Sequence, residues 1–247
     1  TALRVREVAS AARAALRFRT PLMAQGGKTT AIVMAGRREG ALDPLAEAAG
    51  LADKCLVPVA GMPMIAHVLT ALAAAPAIGR IIVSVNDART LDGIGLVRSL
   101  LAAGRLTVVP ARADLVRSLF AAADHADFPV LVTTADNVLL TPMATAAFLD
   151  GLADNDDVAV AFARRASILA VHPDGQRRFY RFADDSYSNC NTYWIGKAEA
   201  LKTAKIFRSG GQFAKHPMRI AMALGIINLI RFRYGIGTLD EAFRRLS

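Results

Sequence analysis

The chain has only two cysteines among its 247 residues, Cys55 and Cys190, and they lie far apart. Neither belongs to a Cys-x-x-Cys pair, so we expect neither a disulfide framework nor a cysteine-based zinc site. The four histidines also lack the spacing of metal ligands. Both thiols are therefore expected to be reduced, as in a cytoplasmic protein.

A hydrophobic run long enough to cross a bilayer is also missing. The longest apolar run covers residues 220–227 and, past Asn228, reaches Ile230, with Arg219 and Arg231 at its borders. A spanning helix needs about 20 apolar residues, so this run is too short. Residues 1–22 show no apolar segment followed by a small-residue cleavage site, so we expect no secretory signal.

Acidic and aromatic residues are few. Basic residues outnumber acidic ones by 30 to 21, which gives a net charge of +9, and aromatic residues make up 6% of the chain against 53% hydrophobic residues. This composition is typical of a folded globular protein, and its charge favours anionic partners such as nucleotides, phosphorylated metabolites, nucleic acid or anionic lipid. Among these we expect no nucleic-acid partner. The length suits a single domain at 23–247, with a helical C-terminal part, after a basic N-terminal helical extension at 1–22.

Apolar residues at helical spacing with arginines between them predict a basic amphipathic helix at 2–17.

Short β-rich runs then alternate four times with helical patterns. The predicted strands are 30–34, 81–85, 106–109 and 130–133, and the predicted helices are 64–75, 91–103, 113–123 and 142–152. This order predicts a three-layer α/β/α, Rossmann-like fold with a mainly parallel sheet.

The remaining third of the chain is less regular. Residues 158–162 return to β character, and the polar segment 172–193 is expected to form an irregular or antiparallel insertion that faces the site. Residues 197–247 are predicted to be helical, with breaks at glycines.

A glycine-containing loop follows the first predicted strand. It comprises Met34, Ala35, Gly36, Arg37 and Arg38. Gly36 allows a phosphate to approach the backbone closely, and guanidinium groups pair bidentately with phosphate oxygens. We interpret the loop as a nucleotide-binding segment; an ordinary turn is the alternative that the glycine alone would favour.

Lys54 precedes a short apolar run that ends at Val59, and Gly61-Met62-Pro63 then leads into a helix. An ammonium group here could stabilise negative charge on a leaving pyrophosphate, and a solvated surface lysine is the alternative.

These two segments, in order and spacing, resemble the opening of the nucleotidyltransferases of the nucleotide-diphospho-sugar transferase fold. That group includes the molybdenum-cofactor, methylerythritol-phosphate and sugar-1-phosphate nucleotidyltransferases. The chain departs from the family pattern at Arg38, which stands where a second glycine is usual, and at Asp53, which replaces a proline. The resemblance implies that Arg37 and Lys54 are catalytic.

The segment from Thr134 to Pro142 is similar to a second family motif, which follows the central strand. A carboxylate at a strand end, here Asp136, suits Mg²⁺, which binds one or two carboxylates together with substrate phosphates. The alternative is that Asp136 caps the next helix, although Thr141 before Pro142 is the better capping residue.

A third segment, 178–193, resembles the strand that binds the acceptor in this family. Asn189 or Asn191 could hydrogen-bond an acceptor, and Arg177, Arg178 or Arg181 could hold its phosphate. A polar hairpin with solvated arginines is an equally open interpretation.

The resemblance implies a Mg²⁺-dependent nucleotidyltransferase that joins NMP from an NTP to a phosphorylated small molecule and releases pyrophosphate. Two alternatives stay open. One is a glycosyltransferase of the same fold that uses an NDP-sugar, although no Asp-x-Asp occurs at 130–142. The other is a catalytically weak nucleotide-binding protein, or one that contacts a membrane surface through its basic segments at 2–17 and 215–233.

Overall fold

The computed structural model describes residues 3–7, 29–37, 42–153, 156–175, 179–207, 237–239 and 241, with backbone alone for 3–7 and 203–207. The strands are β1 (Leu3–Glu7), β2 (Thr29–Met34), β3 (Pro58–Val59), β4 (Met62–Pro63), β5 (Ile78–Val85), β6 (Leu106–Pro110), β7 (Val130–Thr134), β8 (Val158–Arg164), β9 (Tyr180–Arg181) and β10 (Ser186–Ile195). The α-helices are α1 (Pro44–Ala48), α2 (Met64–Ala74), α3 (Gly95–Ala102), α4 (Leu115–Ala123), α5 (Pro142–Asp150) and α6 (Arg165–Val171). Shorter 3₁₀ segments cover Lys54–Leu56 and Ala88–Leu91, and a longer one covers Ala198–Phe207.

The main sheet has the order β1-β8-β10-β7-β2-β5-β6, with β9 paired to β10. Strand β2 lies between β7 and β5 and is parallel to both, and β5 is parallel to β6. Strand β10 is antiparallel to its neighbours β7 and β8. The predicted mainly parallel α/β fold is confirmed.

Helices cover both faces of this sheet, which explains why every residue of β2 is buried. Alternate side chains of β2 point to opposite faces. Ala31 and Val33 pack in one core with residues of α2, α3 and α5, whereas Ile32 and Met34 pack in a second core with residues of α4. These are the three predicted layers.

Local capping sets where the helices begin. The side chains of Asp43, Asp114 and Thr141 accept backbone hydrogen bonds at the starts of α1, α4 and α5. Pro142 occupies the first turn of α5, where its missing N–H costs nothing. Thr141 is therefore the cap of α5, and Asp136 is free of that role.

The helix predicted at 2–17 is wrong for its described part. Residues Leu3–Glu7 form β1, which pairs in parallel with β8. The sequence Leu-Arg-Val-Arg-Glu alternates apolar and charged residues, a period of two that suits a strand as well as it suits a helix start. The open edge of β8 offers hydrogen-bonding partners that settle the choice. Residues 8–17 lie outside the described residues.

The segment predicted as an insertion at 172–193 contains a strand of the main sheet. Strand β10 is antiparallel, which is one of the two predicted alternatives, and it lies between β7 and β8 as a member of the main sheet. Its carboxyl half, with Trp194 and Ile195, supplies core residues to both faces. Its amino half is polar because it runs past the end of β7.

No helix in the described part of the chain is both long and apolar enough to cross a membrane. The division at residue 22 and most of the helical part predicted at 197–247 fall outside the described residues and stay predictions; within that part, Ala198–Phe207 forms a 3₁₀ helix.

Candidate functional site

The carboxyl ends of β2, β5 and β7 meet at one edge of the sheet, because the three strands are parallel and in register. Met34 is paired with Ser84 on one side and with Thr134 on the other. From β2 the chain continues to β5 and β6 on one side, and it later adds β7 on the other. Such a reversal of strand order opens a crevice beyond the strand ends, where α/β proteins bind ligands.

The loop after β2 is held in this crevice by its backbone. The N–H of Ala35 donates to the Ser84 carbonyl at 2.8 Å, and the N–H of Ala135 donates to the Met34 carbonyl at 3.0 Å. Met34 and Ala35 are buried, whereas Gly36 and Arg37 are exposed. The chain therefore leaves the core and enters solvent between these two pairs of residues.

Gly36 is required by close packing. A Cβ at this position would lie 2.9 Å from the Cβ of Ala111 and 3.5 Å from Oδ1 of Asn86. Asn86 directly follows β5, and its Oδ1 accepts the Arg37 N–H at 2.6 Å. Glycine thus lets the loop lie against the neighbouring strand ends, and Asn86 fixes its direction.

Lys54 and Asp136 are brought together although 82 positions separate them in the chain. Nζ of Lys54 donates to Oδ2 of Asp136 at 2.5 Å, and the Thr134 hydroxyl donates to Oδ1 at 2.6 Å. The side chains of Lys54 and Asp136 are 33% and 34% exposed, so solutes can reach both. The site therefore presents an ammonium group and a carboxylate side by side at the crevice.

The pKa of Asp136 is lowered. Burial alone would raise this pKa, but the hydrogen bonds from Lys54 and Thr134 and the positive charge of Lys54 outweigh burial. Asp136 is consequently an anion at neutral pH, as a cation ligand must be.

Two further carboxylates complete the charge arrangement. Asp43 Oδ2 lies 3.9 Å from Lys54 Nζ, and Asp53 Oδ1 lies 3.9 Å from a guanidinium nitrogen of Arg37. Asp53 is buried and its other oxygen accepts the hydroxyl of Thr90 at 3.2 Å. Each cation of the site thus faces an anion of the chain itself.

The polar half of β10 borders the site. Nδ2 of Asn137, next to Asp136, lies 3.0 Å from the carbonyl of Cys190 and 3.1 Å from the hydroxyl of Thr133. The pairing of β10 with β8 shifts register between Asn189 and Tyr193, which marks a bulge. Bulges commonly re-aim side chains next to functional sites.

The predicted acceptor residues differ in their availability. Asn189 uses its side chain inside the bulge, since Nδ2 donates to the Tyr193 hydroxyl at 2.9 Å and Oδ1 accepts the Asn191 N–H at 2.6 Å. Asn191 is exposed, with a φ of 49°, and Arg181 is exposed on β9. Asn191 and Arg181 are therefore the more accessible of these residues.

Several predicted residues cannot be placed. Arg38, Arg177 and Arg178 lie outside the described residues. Conversely, Asn86, Asp43 and the hydroxyl of Thr134 were not predicted. Their signal was weak but present, because Asn86 and Thr134 stand at the carboxyl ends of predicted strands, where polar side chains reach the crevice.

The described side chains suit a magnesium ion only if a bound nucleotide supplies some of its ligands. The described residues include no group of three His, Cys, Asp or Glu side chains that could enclose a metal ion. Mg²⁺, however, is often bound by one or two carboxylates and completes its shell with water and substrate phosphates. Asp136 is anionic and partly exposed and fits that arrangement, provided that a nucleotide supplies further oxygens.

The chain is similar to known proteins over most of its length. Residues 32–205 match the MobA-like NTP transferase domain. A hypothetical transferase from Thermus thermophilus has a TM-score of 0.73 and 25% identity, with 89% of this chain and 87% of that chain covered. No curated protein matches significantly.

Two more distant structures share the fold. A CMP:2-keto-3-deoxy-manno-octonic acid synthetase, solved with CTP, has a TM-score of 0.52 and 15% identity, covering 79% of this chain and 86% of that one. The bifunctional IspDF from Campylobacter jejuni has a TM-score of 0.50 and 11% identity, covering 79% and 47%.

Proposed function

The chain belongs to the MobA-like NTP transferase family, and from this premise we propose that it transfers NMP from an NTP to a phosphorylated small molecule and releases pyrophosphate. The observation that carries the proposal is the Lys54–Asp136 pair beside the loop after β2. The pair is an ammonium group and a carboxylate, side by side at the crevice where α/β proteins bind ligands.

The proposed reaction needs no covalent intermediate. An oxygen of the acceptor phosphate attacks the α-phosphorus of the NTP, a new P–O bond forms, and the bond from the α-phosphorus to the pyrophosphate oxygen breaks. The electron pair of that bond leaves with pyrophosphate. Catalysis of such a transfer consists mainly of positioning and of stabilising negative charge.

The site residues divide these tasks. The backbone at Gly36 and the guanidinium of Arg37 hold the triphosphate, and Lys54 offsets the charge that develops as pyrophosphate leaves. Asp136 would hold Mg²⁺, which when bound would neutralise phosphate charge. Asn191 and Arg181 are proposed to meet the acceptor from the β10 side.

A pyrophosphate-release assay tests the proposal. Each of the four NTPs is incubated with Mg²⁺ and a panel of sugar and polyol phosphates, beginning with CTP because the synthetase of the same fold was solved with CTP. We expect acceptor-dependent pyrophosphate release, and its loss in Asp136→Asn, because the amide cannot supply an anionic ligand.

Asp150→Asn is the matched control, since Asp150 is exposed at the end of α5 and should leave the rate unchanged. Unchanged activity in Asp136→Asn would remove Asp136 from the mechanism. Turnover of an NDP-sugar without pyrophosphate release would instead support a glycosyltransferase.

A further inference from the structure

The Lys54 ammonium group donates to one oxygen of the carboxylate that is proposed to hold a metal ion. It is 2.5 Å from Oδ2 of Asp136, while Oδ1 accepts the Thr134 hydroxyl at 2.6 Å. Both oxygens thus already accept a hydrogen bond, one of them from a full positive charge. A divalent cation that approaches this carboxylate meets repulsion from Lys54.

We infer that Lys54 is the resident cation of Asp136 in the nucleotide-free protein, and that it must leave Asp136 before the carboxylate can bind a metal ion. The inference rests on the proposed function for the identity of the second ligand, the triphosphate. It also adds an order of binding, in which Asp136 binds its metal ion together with the nucleotide and not before the nucleotide.

A second carboxylate, that of Asp43, lies near the Lys54 ammonium group. Asp43 Oδ2 lies 3.9 Å from Lys54 Nζ. Asp43 is itself fixed, because its Oδ1 accepts the Leu45 N–H at the start of α1. Nζ of Lys54 therefore lies within 4 Å of two carboxylates that each accept another hydrogen bond, and its flexible side chain can exchange one anion for another.

A triphosphate drives this exchange. Its oxygens offer Lys54 more negative charge than a single carboxylate, so Lys54 turns to the nucleotide and exposes Oδ2 of Asp136. The vacated oxygen is then free for the cation that accompanies the triphosphate. The nucleotide-free site avoids binding a divalent cation, because Lys54 neutralises Asp136 until the substrate arrives.

Removing the resident cation should expose the hidden metal affinity. In Lys54→Met the pair of Asp43 and Asp136 keeps two negative charges with no ammonium between them. The same site contains a matched control, because Arg37 is also a cation but is paired with Asp53 at 3.9 Å. Arg37→Met removes the same formal charge without freeing Asp136.

The experiment measures Mn²⁺ binding to the nucleotide-free full chain by electron paramagnetic resonance and by calorimetry. We expect Lys54→Met to bind Mn²⁺ at least about fivefold more tightly than the unaltered chain, the lower end of usual coupling between ligands. Arg37→Met should bind as the unaltered chain does. Adding Asp136→Asn to Lys54→Met should abolish the gain.

Equal Mn²⁺ affinity in Lys54→Met and the unaltered chain would overturn the inference, and so would an equal gain in Arg37→Met. Circular dichroism checks that each variant is folded, and Lys54→Gln serves the same comparison if methionine is not tolerated. The proposed function fails separately: it is refuted if no NTP yields pyrophosphate, whatever the Mn²⁺ affinities are.

Discussion

Replacing Lys54 by methionine also has a predicted effect on stability, because the variant leaves the Asp136 carboxylate without its ammonium partner. A hydrogen bond to a charged group contributes about 1.5–3 kcal/mol, and a fully exposed ion pair about 0.2–1 kcal/mol. Both side chains are about one-third exposed. We therefore expect the free energy of unfolding at pH 7 to fall by about 1–2 kcal/mol, between these ranges.

The loss should depend on pH in a defined direction. The pKa of Asp136 is lowered in the folded chain, so the pair stabilises the fold fully above the unfolded aspartate pKa of about 3.9 and less as the pH falls through the folded value. Lys54→Met removes the strongest cause of that lowering. The difference between the two proteins should thus be largest near neutral pH and shrink at pH values below about 4.

Urea unfolding at a series of pH values between 7 and 3.5 measures this difference directly. Lys197→Met is the matched control, since the Lys197 ammonium group, on a side chain 55% exposed against 33% for Lys54, lies 2.7 Å from Asp157 and away from the site. It should lose less stability. A loss in Lys54→Met that is the same at pH 7 and at pH 3.5, or no loss at all, would refute the reasoning.

Three other predictions use simpler readouts. Gly36→Ala should lower the free energy of unfolding by about 1–3 kcal/mol through overpacking, because the added Cβ would lie 2.9 Å from the Cβ of Ala111. Urea unfolding measures this loss, and adding Ala111→Gly should restore most of it. Arg37→Ala should weaken NTP binding in calorimetry by about 1.5–3 kcal/mol, and by less at high salt. Burial raises the pKa of Cys55 to about 12 and that of Cys190 to about 11. A thiol reagent at pH 8 should therefore modify both much more slowly in the folded chain than in the unfolded chain, and equal rates would contradict this.

The central strands could be predicted from the sequence because they are buried on both faces. Strands β2, β5, β6 and β7 read as short continuous apolar runs between turn residues, and parallel strands under two helical layers must look this way. Strand β10 was not recognised as a member of the sheet. Its amino half is polar since it extends beyond β7, and its register depends on a bulge that no periodic pattern reveals.

The short strand β1 shows a second limit. Five residues of alternating character satisfy both a strand and the first turns of an amphipathic helix, and the choice depends on an edge of β8 that lies more than 150 residues away along the chain. Local pattern alone cannot weigh such a partner.

The residues of the site also differ in whether the sequence predicts them. Lys54 and Asp136 could be named from the sequence because Lys54 precedes a recognisable segment and Asp136 follows a predicted strand, and the structure brings the two side chains into contact. The partners of the cations could not be named. Loop paths and side-chain directions decide that Asp53 faces Arg37 and that Asn86 accepts the Arg37 N–H. These features leave no trace in composition or periodicity.

The central claim, that the crevice at the ends of β2 and β7 binds a nucleoside triphosphate, is tested most directly by amide hydrogen exchange of the full chain with Mg²⁺ and with or without NTP. We predict slower exchange at residues 34–37, 54–56 and 134–137 when NTP is bound, and no change in α3. If calorimetry shows binding while exchange at these three segments stays unchanged, the triphosphate binds elsewhere and the assignment of the site is wrong.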